Sequence, residues 1–216
     1  MIGPQAARLG DGRLHLQHGP IDLVIEAFGA SEEIELAYRQ AGARFDDILE
    51  TLVEELPRLR LPVRGAFPQF EGPVARRMVH AVWPHRARYV TPMAAVAGSV
   101  ADEMLAAMIA GRTLDKAYVN NGGDIAFHLT PGQELRAGLF VERLDGSVRL
   151  TFDSPVRGIA TSGWGGRSFS LGIADSVTVL ARSAADAKLQ THATDKARAK
   201  PRRRIPIPPF VIDIFG

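Results

Sequence analysis

Residues 118–126 combine adjacent glycines with polar side chains that could bind a ligand. Asn120, Asn121, Gly122, Gly123 and Asp124 follow one another here. Asn-Gly between apolar runs is a strong hairpin signal, so a plain turn is one interpretation. The other is a binding turn, because paired glycines leave backbone N–H groups accessible and the side chains add directional donors and acceptors. Such a turn can hold phosphate oxygens. Both interpretations stay open.

A second segment, residues 158–170, contains four glycines, four hydroxyl side chains, one arginine and two aromatic residues. Glycines permit close backbone approach, and an arginine offers a two-pronged donor to phosphate. Trp164 or Phe169 could cover a planar ring. Packing alone does not explain this composition, so the segment is better interpreted as a ligand-binding loop than as a purely structural loop. The predicted binding residues are Thr161, Ser162, Gly163, Arg167 and Ser168.

Familiar nucleotide and hydrolase motifs do not fit these segments. The chain has no Gly-Lys pair for a Walker A loop, and Ser168 stands where a dinucleotide fingerprint after Gly163 needs its third glycine. The run from Gly166 to Ser170 lacks the final glycine of a nucleophile elbow. A serine hydrolase is therefore a weak alternative.

Asp186 is a third candidate. It follows an apparent strand, residues 176–181, at the polar start of a helix. The default role there is a helix cap. The alternative role is to ligate a cation such as Mg²⁺, whose sites combine one or two carboxylates with phosphate oxygens.

The candidate residues must be positioned by the surrounding secondary structure, which is rich in helices in the first half of the chain and rich in strands in the second half. We predict a hairpin over 13–28, one long helix from an N-cap at Ser31 to a stop at Pro57, and a helix opened by Pro73. A third helix follows Pro92 and is dense in small residues, including Gly98. The predicted later strands are 117–120, 125–129, 135–141, 148–152, 156–160 and 176–181. This order indicates an α+β fold.

Composition narrows the function classes. The chain has no cysteine, so disulfides and thiolate chemistry are excluded. The net charge of +2 is too small to indicate nucleic acid, which we regard as an unlikely partner; the basic C-terminal residues are best explained as a solvated tail. No long apolar run or signal peptide is evident, so we expect a cytoplasmic protein without a membrane span.

Three ordered stretches carry a family resemblance. They are Thr91–Glu103, Val119–Ile125 and, in two parts, Gly158–Gly163 with Ser168–Val179. Together they resemble an uncharacterised ApbE-like family that is similar to the ApbE flavin transferases, over roughly residues 75–187. The resemblance implies a T-fold-like α+β domain with a mixed, largely antiparallel sheet and packed helices. It also implies binding of FAD and Mg²⁺, and transfer of FMN to a threonine or serine of a partner protein.

The same resemblance assigns roles to individual residues. The Asn-Gly-Gly-Asp turn and the Thr161–Gly163 turn become walls of the cofactor cleft. The Ala97 carbonyl and the Asp186 carboxylate become metal ligands. The family's metal-binding threonine falls on Gln190, so Thr191, one position later, becomes the candidate with a side chain rotated by about 100°.

Two further departures affect the expected activity. The transferases carry a catalytic histidine where this chain has Ser168 to Ser170, and the tail from Lys188 does not follow the family pattern. We therefore predict one domain over 1–187, a basic tail over 188–216, and a site for a flavin nucleotide, FAD or FMN, with Mg²⁺ as a candidate ion. Flavin transfer to an acceptor protein is one hypothesis. The alternative is a non-catalytic module that binds a nucleotide-like or pterin ligand. Whether the protein forms a homodimer is left open by the sequence.

Overall fold

The computed structural model describes residues 3–141, 144–162, 177–197 and 214–215. The strands are β1 Gln5–Arg8, β2 Leu14–His18, β3 Ile21–Gly29, β4 Leu114–Asn121, β5 Asp124–Leu129, β6 Glu134–Val141, β7 Leu144–Thr151, β8 Gly158–Ser162, β9 Val177–Ala181 and β10 Ile214–Phe215. The helices are α1 Ser31–Phe45, α2 Ile48–Leu59, α3 Pro73–Val82, α4 Val96–Ile109 and α5 Ala184–Ala197. Short 3₁₀ turns, Trp83–His85 and Pro92–Ala95, lie between α3 and α4.

Seven strands form one sheet in the order β1-β2-β3-β4-β5-β8-β9, and each of its pairings is antiparallel. A second sheet has the order β10-β6-β7. The α+β class and the largely antiparallel sheet are thereby confirmed. The predicted N-terminal hairpin is confirmed as β2–β3, and β1 extends it on the outer side. All six later strands predicted from sequence are present with shifted ends.

The main sheet has two covered faces. On the helix face, α1 and α4 pack against alternate residues of the strands, such as Ala117, Val119 and Ala126. On the opposite face, which we call the hairpin face, Tyr118, Ile125 and Phe127 form a second core with residues of β6 and β7. Because successive strand residues point to opposite faces, each residue at the strand ends is assigned to one face or the other.

The prediction of the first helix is wrong in three details. The chain forms two helices there, interrupted at Asp46–Asp47, because the apolar stripe that looked continuous serves two separately oriented segments. Pro57 lies inside the last turn of α2 instead of ending it, and the fully buried Leu59 follows it. Ala30, not Ser31, occupies the N-cap position, and no side chain caps this helix.

Helix α4 is the most apolar helix of the described residues. The stretch Pro92–Ile109 is long and apolar enough to span a membrane by length and composition. In the fold it packs between the sheet and helices α1, α3 and α5, with Val100, Met104 and Met108 fully buried. Asp102 and Glu103 on the same helix make specific polar contacts. In this fold it is therefore a core helix.

The boundary expected between residues 187 and 188 falls inside α5, which continues to Ala197. Residues 198–213, which include most of the basic tail, lie outside the described residues.

Candidate functional site

The Asn120–Asp124 segment is a tight hairpin turn between β4 and β5. Gly122 and Gly123 have φ values of +60° and +102°, which favour glycine at both positions. The side-chain oxygen Oδ1 of Asn120 accepts a hydrogen bond from the Gly123 N–H at 2.8 Å. The simple hairpin interpretation is therefore right about the backbone, and a role in ligand binding would be additional.

The second predicted segment begins beside this turn. Asp124 pairs with Ala160 across β5 and β8, and the Thr161 N–H donates to the Gly123 carbonyl at 3.2 Å. The two glycine-containing segments, far apart in sequence, therefore meet at one end of the sheet. Gly163, Arg167 and Ser168 belong to the predicted site as well but lie outside the described residues.

The strand alternation divides the predicted residues between the two faces. Asn121, Asp124 and Ser162 share the helix face with Val119, Ala126 and Ala160. Asn120 and Thr161 share the hairpin face with Tyr118 and Ile159. A ligand that contacts all of them would have to lie across the end of the sheet.

Two of the amides that the sequence offered to a ligand are used inside the fold. The Gly123 N–H is bonded to Asn120 and the Thr161 N–H to Gly123. Gly122 differs, because it is exposed and nothing lies within 4 Å of the position a Cβ atom would take. The accessible amides expected from the paired glycines are therefore limited: among these three residues, the accessible backbone is at Gly122.

Asp124 is buried against α5. Its side chain is 2% exposed, and Oδ2 lies 3.2 Å from the Nζ atom of Lys188. The other oxygen, Oδ1, has no hydrogen-bond partner among the described residues. Burial raises the pKa of Asp124 to about 6, against the lowering effect of the Lys188 ammonium. An unsatisfied, buried carboxylate oxygen is costly, so this position is poised to accept a donor.

Asp102 organises the start of α5, and sequence reasoning assigned it no role. Its two carboxylate oxygens accept the N–H groups of Ala184 and Ala185, each at 2.9 Å. Burial raises the pKa of Asp102, although the two N–H bonds act in the opposite direction. Because the cap comes from another helix, no local pattern around residue 184 signals it. The N-terminus of α5 is occupied by this carboxylate and does not offer those amides to a phosphate.

Two glycines allow this arrangement. A Cβ atom on Gly98 would overlap the Ala184 carbonyl and lie 2.7 Å from the Ala185 nitrogen, and one on Gly158 would overlap the backbone of Ser183. Gly98 therefore allows the backbones of α4 and α5 to pack closely.

Two of the three metal ligands implied by the resemblance, Ala97 and Thr191, are hydrogen-bonded within the fold, and the metal site itself stays a prediction. The Ala97 carbonyl accepts the Asn121 amide N–H at 3.0 Å. Thr191 is fully buried, and its Oγ1 donates to the Lys188 carbonyl at 2.7 Å. Asp186 is half-buried one turn earlier, about 140° around the helix from Thr191. No group of three His, Cys, Asp or Glu side chains that could hold a metal occurs within the described ranges, a test that does not include carbonyl or threonine ligands.

A protein-family model and several curated proteins match this chain. The model of the family described as AbpE bacteria matches residues 6–199. UPF0280 proteins are similar: that of Methanothermobacter thermautotrophicus is 38% identical over 54% of this chain and 45% of its own length. Those of Methanoregula boonei and Archaeoglobus fulgidus are each 40% identical, over 45% and 52% of this chain and 42% and 45% of their own lengths. The chain thus spans less than half the length of these relatives.

A solved structure is also similar. It is the crystal structure of the ApbE protein from Thermotoga maritima, with 13% identity, a TM-score of 0.46, and coverage of 88% of this chain and 86% of that one. The family match covers nearly the whole chain and includes both glycine turns up to Ser162 and helix α5. The chain therefore belongs to the AbpE bacteria family.

Proposed function

We propose that the protein binds a flavin nucleotide, FAD or FMN, across the end of the sheet where the two glycine-containing segments meet. The observation that carries the proposal is the hydrogen bond between Thr161 and Gly123, which holds these segments together. Membership of an ApbE-like family supports the choice of ligand class.

The local chemistry suits a ligand that has both a polar ring edge and phosphate groups. Gly122 offers accessible backbone. On the hairpin face, the Asn120 side chain already accepts the Gly123 N–H and the Thr161 hydroxyl is bonded to that of Thr178 at 3.0 Å, so a ligand would use the remaining donor and acceptor capacity of these groups. On the helix face, the buried Asp124 Oδ1 atom has no hydrogen-bond partner among the described residues and would suit an N–H donor such as one on a flavin ring, if the ligand reaches it. Phosphate would be kept from this carboxylate by charge repulsion and would lie toward Gly122.

Binding is tested by titrating FAD and FMN into the full chain and following flavin fluorescence. Thr161→Val probes the hairpin face and Ser162→Ala probes the helix face. We expect each loss of a ligand hydrogen bond to weaken binding about five- to tenfold. Thr130→Val is the matched control, because its hydroxyl bonds to the Asp115 carbonyl at the far end of β5. Unchanged affinity in both site variants, or no flavin binding at millimolar concentration, would refute the proposal.

Two activities remain as candidates at this site. In a transferase, a hydroxyl of an acceptor protein displaces AMP from FAD and becomes covalently attached to FMN. In a non-catalytic module, FAD or another nucleotide-like or pterin ligand binds and dissociates unchanged. The second candidate is favoured by Thr191, whose hydroxyl is bonded inside α5 and not directed to a metal.

AMP release separates these candidates. Wild-type protein is incubated with FAD and a threonine-containing acceptor peptide, with and without Mg²⁺, and the products are identified by mass spectrometry. Release of AMP together with a flavinylated peptide would establish transfer. Binding without AMP release in either condition would establish the module. A dependence of FAD affinity on Mg²⁺ that disappears in Asp186→Asn would place the ion, which stays a prediction, at that carboxylate.

A further inference from the structure

A strongly one-sided charge distribution lies outside the candidate cleft. Residues 72–101 contain four arginines and two histidines but no aspartate or glutamate, and residues 56–70 contain three arginines and no acidic residue. Neither part of this charge is needed for the proposed flavin site. Where the charges of such a basic segment are not paired with carboxylates, they mark a surface that attracts anions.

The fold brings the two basic segments together. The Val63 N–H donates to the Val90 carbonyl at 2.9 Å, which ties the loop after α2 to the segment that precedes α4. Between them lies an open hollow of about 410 Å³, which is within the usual range for a small-molecule site. Its lining residues are Arg64, Gly65, Pro84, Arg86 and Ala87.

The two arginines of this hollow, which we call the arginine hollow, differ in how they are held. The guanidinium of Arg86 stacks 4.5 Å from the centre of the Trp83 ring, and its Nη1 donates to the Trp83 carbonyl at 3.1 Å. Arg64 is exposed and makes no hydrogen bond or ion pair with the part of the chain that the structure describes. One guanidinium is therefore positioned in advance, and the second can move to a ligand.

No carboxylate of the described residues pairs with either group. By contrast, Arg77, which belongs to the same basic stretch, is bonded to Glu103 on the other side of the helix layer. Arg60 and Arg88, which are close in sequence to the lining residues, are also exposed. The positive charge at the arginine hollow is consequently available to an outside anion.

We propose that the arginine hollow is a second ligand site that binds a di- or triphosphate chain of a small molecule. Two guanidiniums across a hollow of this size match two neighbouring phosphate groups, because each guanidinium can donate two parallel hydrogen bonds to phosphate oxygens. Gly65 has a φ of +67° and nothing within 4 Å of its Cβ position, so the phosphate groups of a ligand can approach the protein backbone there. The lining contains no aromatic residue, so recognition concerns the phosphates and not a ring.

The test uses calorimetric titration of inorganic pyrophosphate and tripolyphosphate into the full chain. We expect one binding event that is weakened about tenfold or more by Arg64→Gln and by Arg86→Gln, since hydrogen bonds to charged groups are the stronger class. Arg86→Lys keeps the charge but loses the two-pronged geometry, and we expect an intermediate loss. Arg64→Gln removes no hydrogen bond or ion pair of the described residues, so we expect the fold to be retained, which thermal unfolding of the variant checks.

Two controls make the result specific. Arg39→Gln removes an exposed arginine of α1 and should leave the affinity unchanged. Thr161→Val alters the flavin cleft and should also leave pyrophosphate binding unchanged, which separates this proposal from the flavin proposal. Equal loss in Arg39→Gln, loss in Thr161→Val alone, or no binding at millimolar concentration would overturn it.

A nucleic-acid ligand is distinguished in the same series. Tyr89 is 67% exposed beside the basic segment and could stack on a base. If a single-stranded oligouridylate bound more tightly than tripolyphosphate and lost affinity in Tyr89→Ala, the small-molecule assignment would be wrong. Tighter binding of tripolyphosphate, unaffected by Tyr89→Ala, would support it.

Discussion

Helix α4 is held in different ways on its two sides. Toward α5, contact is made by backbone, since Gly98 lies directly against Ala184 and the Asp102 carboxylate accepts two N–H groups. Toward α1 and α3, contact includes long side chains, since Glu103 bonds to Arg44 at 2.9 Å and Arg77 at 2.8 Å. The two carboxylates are neighbours in sequence, but burial raises the pKa of Asp102, whereas Arg77 and Arg44 outweigh burial and lower the pKa of Glu103.

This difference shows where the fold is least tolerant of change. Backbone contacts have no flexible atoms that can move aside, whereas arginine side chains can adopt other rotamers. The intolerant side is also the side of the candidate cleft, because it sets the position of α5 and hence of Asp186 and Lys188. We therefore expect substitutions on the α5 side to cost more than those on the α1 and α3 side.

The largest expected effect is that of Gly98→Ala. The added Cβ would overlap the Ala184 carbonyl, so α4 and α5 must separate, at a cost of about 3 kcal/mol in the free energy of unfolding. Gly42→Ala is the matched control, because Gly42 is also helical and has nothing near its Cβ position. There we expect stabilisation of about 0.5–1 kcal/mol. Urea unfolding measures both; equal effects would contradict the proposed backbone contact.

The next effect concerns pH. The pKa of Asp124 is raised to about 6 in the folded chain, above its ordinary value of 3.8, so the folded state binds the proton more tightly than the unfolded state. The resulting stabilisation is present below about pH 4 and is lost as the pH rises through 6, by about 3 kcal/mol. Asp124→Asn should remove this loss. The measurement is the difference in unfolding free energy between wild type and variant from pH 4 to pH 7; a constant difference would show that Asp124 has an ordinary pKa.

Removing the cap of α5 is expected to cost somewhat less. Asp102→Ala leaves two N–H groups without their acceptor and should lower the free energy of unfolding by about 2 kcal/mol. Asp102→Asn keeps one acceptor oxygen and should cost about half as much. Thermal unfolding compares them. If the asparagine variant were as unstable as the alanine variant, the carboxylate charge and not the hydrogen bonding would be decisive.

The smallest effect is expected on the opposite side of α4. Glu103→Gln weakens two ion pairs, but the Arg77 side chain is 40% exposed, so solvent screening limits the loss to about 1 kcal/mol. Because the pKa of Glu103 is lowered, its contribution is present above the ordinary glutamate pKa and is lost as the pH falls. Stability at pH 7 in low and high salt measures it. A loss larger than that of Asp102→Ala would reverse the comparison.

Much of the fold could be predicted because the relevant signals are local. Alternation of apolar residues located β2, β3 and the later strands, and Asn121-Gly122-Gly123 located the hairpin. The division of the first helix was missed because its apolar stripe continues in register across Asp46–Asp47. The proline at 57 was misjudged because packing of Leu59 in the core extends α2 past it.

The candidate site was predicted less completely than the fold. Sequence identified both glycine segments, and the structure brings Gly123 and Thr161 together. The sequence did not indicate that the amides of Gly123 and Thr161 are bonded inside the fold. Nor did it indicate that Asp124 pairs with Lys188 or that Asp102 caps α5. These contacts join residues from different elements, and no spacing along the chain encodes them.

The sequence by itself determined the α+β class, the strand set and the two segments rich in glycine, because backbone preferences and hydrophobic periodicity act over a few neighbouring residues. Tertiary structure alone decided which polar groups are available. A hydrogen-bonding group in a strand or helix becomes accessible or satisfied according to what packs on its face, and that depends on partners tens of residues away. For this reason Gly122 and Arg64 are open to a ligand, whereas Gly123 and Thr191 are engaged within the fold.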